Sequence, residues 1–267
     1  DASCGWFHLS KPRQPRPAHS GQGKARWVVV GAGFTGLAAA RQLAANFPDD
    51  QIVLIEAQQV GFGTSGRNAG FAIDLPHDIG AEDYIGDIGI AKSILKLNLG
   101  GQAYLKELVE RYAIACQFKH CGKYQAAVED RGIAVLEAYR RGLDKLDQPY
   151  QMIDGRDLPE HIGTDFYRKG LFTPGTALIQ PAALVKGLAD NLPSNVALYE
   201  NTPILDVEYG DKVLLRHANG SIMADNLVLT TSAAMLDDLG HRVIVASSGA
   251  EGLECLQAHA DVDLVIS

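Results

Sequence analysis

The sequence predicts an α/β chain in which a parallel-sheet domain is interrupted by an α+β layer. Three observations carry that reading. The apolar run Trp27-Val28-Val29-Val30 leads into three spaced glycines, Gly31, Gly33 and Gly36, and then into a helical pattern with Leu37, Ala40, Leu43 and Ala44 on one face. A second apolar run, Ile52-Val53-Leu54-Ile55, ends at Glu56. From residue 81 to 180 the pattern changes to short strands alternating with isolated helices, which suits an antiparallel sheet with helices on one side.

Strand, tight turn, helix and second strand make a Rossmann-like order, and the residue types explain its use. Gly31 permits the sharp turn, and Gly33 has no side chain to keep a pyrophosphate off the backbone. Gly36, with Ala40 and Ala44 at four-residue steps, lets the helix lie close to the sheet. The helix N-terminus adds unpaired N–H groups and the positive end of its dipole. Gly31, Ala32, Gly33, Phe34, Thr35 and Gly36 are therefore the candidate cofactor cradle. Glu56, followed by Ala57, lies twenty residues after Gly36, where a carboxylate can accept from both ribose hydroxyls. A 2′-phosphate would be repelled there, so NADP is disfavoured. The motif itself leaves FAD and NAD both open.

A second glycine-rich loop, Gly61-Phe62-Gly63-Thr64-Ser65-Gly66-Arg67-Asn68-Ala69-Gly70, stands close behind Glu56. This combination resembles the FAD-dependent oxidoreductases of the D-amino-acid oxidase, glycine oxidase and sarcosine oxidase superfamily. The run from Ser65 to Gly70 is most similar to the gamma-glutamylputrescine oxidase-like branch, with Ala69 where that branch usually has glycine. The resemblance covers about residues 26–232. It implies FAD as the cofactor and Ser65, Arg67 and Asn68 as contacts to it. It also implies that Ile204 lies by the adenine and Thr230 and Thr231 by the nucleotide. For Arg67 the competing reading is a surface salt bridge. The implied reaction oxidises the C–N bond of a small amine or amino acid by hydride transfer to flavin. His77, in a Leu-Pro-His-Asp turn soon after the loop, is a weak catalytic candidate, against a plain surface hydrogen-bonding role.

Composition bounds the alternatives. At 267 residues, 46% apolar and 21% charged, the chain can bury a core of one large or two ordinary domains. A net charge of −8 argues against a nucleic-acid partner. The stretch from Val28 to Ala45 is too polar for a membrane span. No apolar leader is visible, and the four scattered cysteines lack a framework spacing, so a reducing, cytoplasmic setting is expected. Cys116, His120 and Cys121 have no second pair to complete a tetrahedral site, so no metal is expected.

Residues 1–26 read as a disordered basic leader, with Pro12, Pro15 and Pro17 and five cations against Asp1. Residues 27–80 are the first part of the nucleotide domain, 81–180 the substrate-domain-like layer, and 181–232 the return to the nucleotide domain. Within them, one long helix spans Ile90 to Tyr112 with a bend at Gly100-Gly101. Strands flank a Gly122-Lys123 turn. A helix runs from Asp130 to Leu146, and another opens at Pro181. Asn219-Gly220 marks a hairpin between Val213–His217 and Ser221–Met223, and Leu227–Ser232 is a further strand.

Beyond Ser232 the resemblance implies more substrate-domain strands and a last glycine-rich element. Residues 233–267 read otherwise, as a β-α-β tail with a capping box at Ser248 and Glu251, similar to part of a response-regulator receiver domain. It stops before a phosphoacceptor position, so no phosphorelay role is expected. On that reading the oxidase fold is truncated and turnover is expected to be weak. Two other readings compete with the oxidase: an NAD-dependent dehydrogenase, and a nucleotide-binding or signalling module without turnover.

Overall fold

In the computed structural model, which describes residues 4–78 and 80–231, the apolar runs and helical patterns resolve into nineteen elements, one of them a short 3₁₀ turn. They are α1 (Gly5–Leu9), β1 (Gly21–Val30), α2 (Phe34–Asn46), β2 (Ile52–Ile55), a 3₁₀ turn at Thr64–Gly66, β3 (Phe71–Ala72) and α3 (Ile88–Arg111). Then come β4 (Lys119–His120), β5 (Lys123–Ala127), α4 (Asp130–Lys145), β6 (Gln151–Asp154), α5 (Leu158–Ile162), β7 (Lys169–Thr173) and β8 (Ala177–Leu178). The last are α6 (Pro181–Asp190), β9 (Val196–Tyr199), β10 (Ile204–Glu208), β11 (Val213–His217) and β12 (Gly220–Leu229). They fall into two compact units, one from residues up to Ala69 and from Pro181 onward, the other Gly70–Gln180.

The first unit is built on a six-stranded sheet in the order β10-β11-β12-β1-β2-β9. β1 pairs in parallel with β2 and with β12, and β2 in parallel with β9, while β10, β11 and β12 run antiparallel. β2 is buried along its whole length, as a central parallel strand must be. Val28, Val30, Val53, Ile55, Ile222 and Leu229 form one core cluster, and each such side chain contributes about 1.5–3 kcal/mol by leaving water. α2 lies close to this sheet, burying Gly36, Leu37, Ala40 and Ala44.

Three sequence expectations are corrected in this unit. The strand expected from Trp27 starts at Gly21, because its N-terminal half pairs with β12 from Gly220 onward. The two strands expected within 221–232 are therefore one continuous β12. The leader is not a solvated tail. Arg13 donates to Glu200 at 2.6 Å and to Asp190 at 2.7 Å, and the Glu200 side chain is fully buried. Burial works against the Arg13 charge, but the bonds to these carboxylates prevail and raise its pKa. A composition window counts apolar residues, and it cannot see a distant buried carboxylate that needs a cation.

The second unit holds two three-stranded antiparallel sheets, β3-β8-β4 and β5-β7-β6. Residues 70–80 group here rather than with the nucleotide half, because Phe71 and Ala72 pair with Leu178 and Ala177. Gly122 is not a hairpin turn, since β4 and β5 belong to different sheets. Asp87 caps the start of α3, its side chain accepting from Ile90 N at 2.8 Å. The helix runs through Gly100-Gly101 as a single helix. Leu75, Ile85, Leu136, Tyr139, Leu143 and Leu171 form this unit's core. The receiver-like segment lies outside the described residues.

Candidate dinucleotide site

The site begins where β1 ends. Gly31 takes φ +102°, and its N–H donates to Ile55 O at 2.7 Å, so the turn is pinned to the end of β2. A Cβ on Gly31 would come within 2.7 Å of Thr230 O, and one on Gly36 within 1.7 Å of Gly31 O. Both glycines are thus fixed by backbone contact alone. Thr230 latches the turn from the end of β12, its hydroxyl donating to Val30 O and Gly31 O, both at 2.9 Å. Beside it the Thr231 hydroxyl is buried with no hydrogen-bond partner among the described residues.

Glu56, at the tip of β2, faces this turn. One carboxylate oxygen accepts from Ala32 N at 2.8 Å and the other from Gln58 N at 3.0 Å. A carboxylate has about four acceptor positions, so capacity for two hydroxyl donors remains. Gly33 precedes α2 in extended conformation, and a Cβ there would meet Ser65 Oγ at 2.7 Å. Ser65 Oγ accepts from Phe34 N at 3.0 Å, so the second glycine loop lies across the start of α2. Phe34 and Thr35 open that helix, and Ala57 follows Glu56.

The second loop has a signal that the sequence reading passed over. Gly61, Gly63 and Gly66 repeat the spacing of Gly31, Gly33 and Gly36. The geometry repeats too. Gly61 has φ +87°, Gly63 is extended like Gly33, and a Cβ on Gly66 would fall 1.9 Å from Gly61 O. Asn68 closes the turn by donating to Ser65 O at 2.9 Å. The Arg67 guanidinium donates from Nε to Phe62 O at 2.7 Å and lies over the Phe62 ring at 4.8 Å. Both side chains shape the loop.

Ile204 is buried in the sheet core, so its side chain serves packing. His77 belongs to the second unit, where its ring meets the edges of Tyr84 and Tyr139 at 5.7 and 5.8 Å. Partial burial and then Lys123 lower its pKa. Cys116 is fully buried, and burial pushes its thiol up. Among the described residues no group of three or more His, Cys, Asp or Glu is placed to hold a metal. No described helix is long and apolar enough to cross a membrane.

A mixed sheet whose central parallel strand runs through a glycine turn into a close-packed helix, with an acid at the tip of the next strand, defines a dinucleotide-binding α/β protein. Residues 26–250 match the family described as FAD dependent oxidoreductase, and the chain belongs to that family. The match continues past Ser232 into the segment read as receiver-like, so the oxidoreductase resemblance extends further than the sequence reading placed it. The receiver resemblance has no support from it. Among curated relatives, the probable oxidoreductase OrdL of Haemophilus influenzae is 30% identical over 77% of this chain and 48% of its own length. The gamma-glutamylputrescine oxidoreductase of Escherichia coli is 27% identical over 78% of this chain and 49% of its own. The chain therefore spans about half the length of the curated relatives it matches. Glycine oxidase from Geobacillus kaustophilus shares the fold, with TM-score 0.69 at 20% identity over 82% of this chain and 58% of that one.

Proposed function

We propose that the first unit binds FAD and that the protein serves in the oxidation of a small amine or amino acid at its C–N bond. The observation that supports this most is the interlocked cradle: Gly33 leaves room only because it has no side chain, and Ser65 and Phe34 meet directly above it. The residues fit the cofactor. The start of α2 suits the diphosphate, Glu56 keeps acceptor capacity for ribose hydroxyls, and the buried Thr231 hydroxyl is a polar group with no hydrogen-bond partner among the described residues. Bound FAD would supply the hydride acceptor for a substrate C–H next to nitrogen. The chain's own part is orientation, with Thr230 fixing the turn and Glu56 fixing Ala32 N against it. The names of the glycine oxidase and gamma-glutamylputrescine oxidoreductase relatives support an amine-bearing substrate. The free Cys4, Cys116 and Cys121 support a reducing, cytoplasmic setting.

The test is the flavin spectrum of the purified chain, followed by anaerobic bleaching with short amines and amino acids. Replacing Gly33 with Val should abolish flavin retention, because any side chain meets Ser65 and the diphosphate position together. Undiminished FAD binding by Gly33→Val would sink this reading, and a nicotinamide spectrum in place of flavin would replace it with the dehydrogenase.

A further inference from the structure

The second glycine loop is held by a segment outside the cofactor motif. We propose that α1 is a clasp that positions the 61–68 loop for the cofactor, with Phe7 and Trp6 as its positioning residues. This rests on the FAD reading above.

The contacts converge on the loop from one side. The Phe7 ring stacks on Phe62 at 5.9 Å and 15°. The Arg67 guanidinium lies 5.5 Å from the Phe7 ring and 4.8 Å from Phe62, so both aromatic rings engage one cation. Trp6 Nε1 donates to Asn68 O at 2.9 Å, at the residue whose own side chain closes the turn. On the far side the Phe7 ring takes Lys186 Nζ at 5.0 Å, and that ammonium donates to Ser10 Oγ at 2.7 Å. α1 is thereby seated on α6 and on the loop at once.

Two physical arguments turn these contacts into positioning. A five-residue helix has no stability of its own in water, so α1 is ordered only while it is docked. Order is then reciprocal: the loop that holds α1 is held by it. The loop in turn meets the cradle where Phe34 N donates to Ser65 Oγ. A displaced Arg67 or Asn68 moves Ser65 along the same short 3₁₀ turn, and with it the roof of the diphosphate position. The chain just beyond α1 is anchored independently. Glu200 accepts from Arg13 at 2.6 Å, from Arg16 N at 2.6 Å and from Val60 N at 2.7 Å, which ties the strap to the residue before the loop. Releasing Phe7 therefore frees α1 and the loop without freeing the strap.

The experiment compares Phe7→Ala, Phe7→Leu and Phe7→Tyr, with Trp6→Phe as a milder variant that keeps a ring and loses the N–H donor. Amide hydrogen exchange is read in the flavin-free protein at residues 61–68 and at 28–30, and FAD affinity by quenching of flavin fluorescence. Phe7→Ala should speed exchange at 61–68 by about tenfold, leave 28–30 unchanged, and weaken FAD about tenfold. Phe7→Tyr should restore both. Phe7→Leu, which keeps apolar bulk but has no π face for Arg67, should restore neither fully. Unchanged exchange at 61–68 in Phe7→Ala would overturn the clasp, as would equal recovery by Leu and Tyr. Full FAD affinity in Phe7→Ala, in a chain that otherwise binds FAD, overturns the clasp alone. Failure of the unaltered chain to take up FAD overturns the cofactor reading, and the clasp's role with it.

Discussion

The two glycine turns of the first unit share one backbone design and are stabilised by different means. In each, a glycine at positive φ is followed five residues later by a glycine whose Cβ would strike the first one's carbonyl, at 1.7 Å for Gly36 and 1.9 Å for Gly66. The first turn continues into the thirteen-residue α2 and is held by the Thr230 hydroxyl, by Ile55 O and by the Glu56 carboxylate. The second ends after a three-residue 3₁₀ turn and depends on Asn68, Arg67, Phe62 and α1. The same turn thus serves two purposes. Followed by a long helix it directs a dipole and N–H groups at a ligand. Followed by almost no helix it delivers a hydroxyl, Ser65, onto the other turn.

The largest effect expected from this contrast is at Gly36. Its Cβ would collide with backbone, which cannot rotate away, and would also come within 2.6 Å of the Thr230 hydroxyl. Gly36→Ala should cost about 3 kcal/mol or more, at or above the upper end for overpacking, and appear as a large fall in melting temperature or loss of soluble protein. Gly63→Ala is the matched control. Gly63 has φ −77°, and nothing lies within 4 Å of a Cβ placed there. It should melt within a few degrees of the unaltered chain. Similar melting of the two variants would break the distinction between them.

Glu200 sharpens the comparison from the other side, because it holds the strap that precedes α1. Its carboxylate is fully buried and accepts three hydrogen bonds, from Arg13, Arg16 N and Val60 N. Glu200→Ala would leave a buried guanidinium without one of its two carboxylates, and such a break costs about 3–5 kcal/mol. A double-mutant cycle with Arg13→Ala, read by thermal melts, should show strong coupling. Additive losses would show that the pair contributes independently.

Legibility in the sequence followed the range of the forces. The cradle from Gly31 to Glu56 could be read because every constraint on it is local: a positive φ at Gly31, and an apolar run that ends in an acid. β11 was legible for the same reason, as a short apolar run before the Asn219-Gly220 turn. The leader was not. Its order comes from Glu200, nearly two hundred residues away in the chain, and from a β1 extension whose partner is β12. Gly122 misled because a glycine before a strand signals a turn equally well whether the neighbours pair or part. Gly122 takes φ +69° and a Cβ there would meet the Phe172 ring at 2.4 Å, so backbone conformation and close packing both require glycine. Ile204 shows a similar limit: the resemblance implies a place by the adenine, while the side chain belongs to the core.

The smallest expected effect concerns pH, at the strap's other anchor. His19 Nδ1 and His217 Nε2 are 3.0 Å apart, with both rings buried and Tyr199 edge-on to His19. Asn219 N donates to His217 Nδ1 at 3.3 Å. That bond assigns the His217 proton to Nε2, which then donates to His19 Nδ1. Protonating His19 would set two N–H groups face to face, and protonating His217 would oppose the Asn219 N–H. Burial lowers both pKa values, and the His217 charge lowers that of His19 further. For the sign, the unfolded chain binds these protons at higher pH than the fold does. Stability from the pair is therefore fully present above the ordinary histidine pKa of about 6.5, and is lost as pH falls below it toward the depressed folded values. The melting temperature should drop between pH 7.5 and 5.5, by about 2–4 °C for each kcal/mol lost. In His217→Gln, which cannot titrate, that drop should shrink while the value at pH 7.5 changes little. A drop of equal size in the variant would assign the pH dependence to other groups.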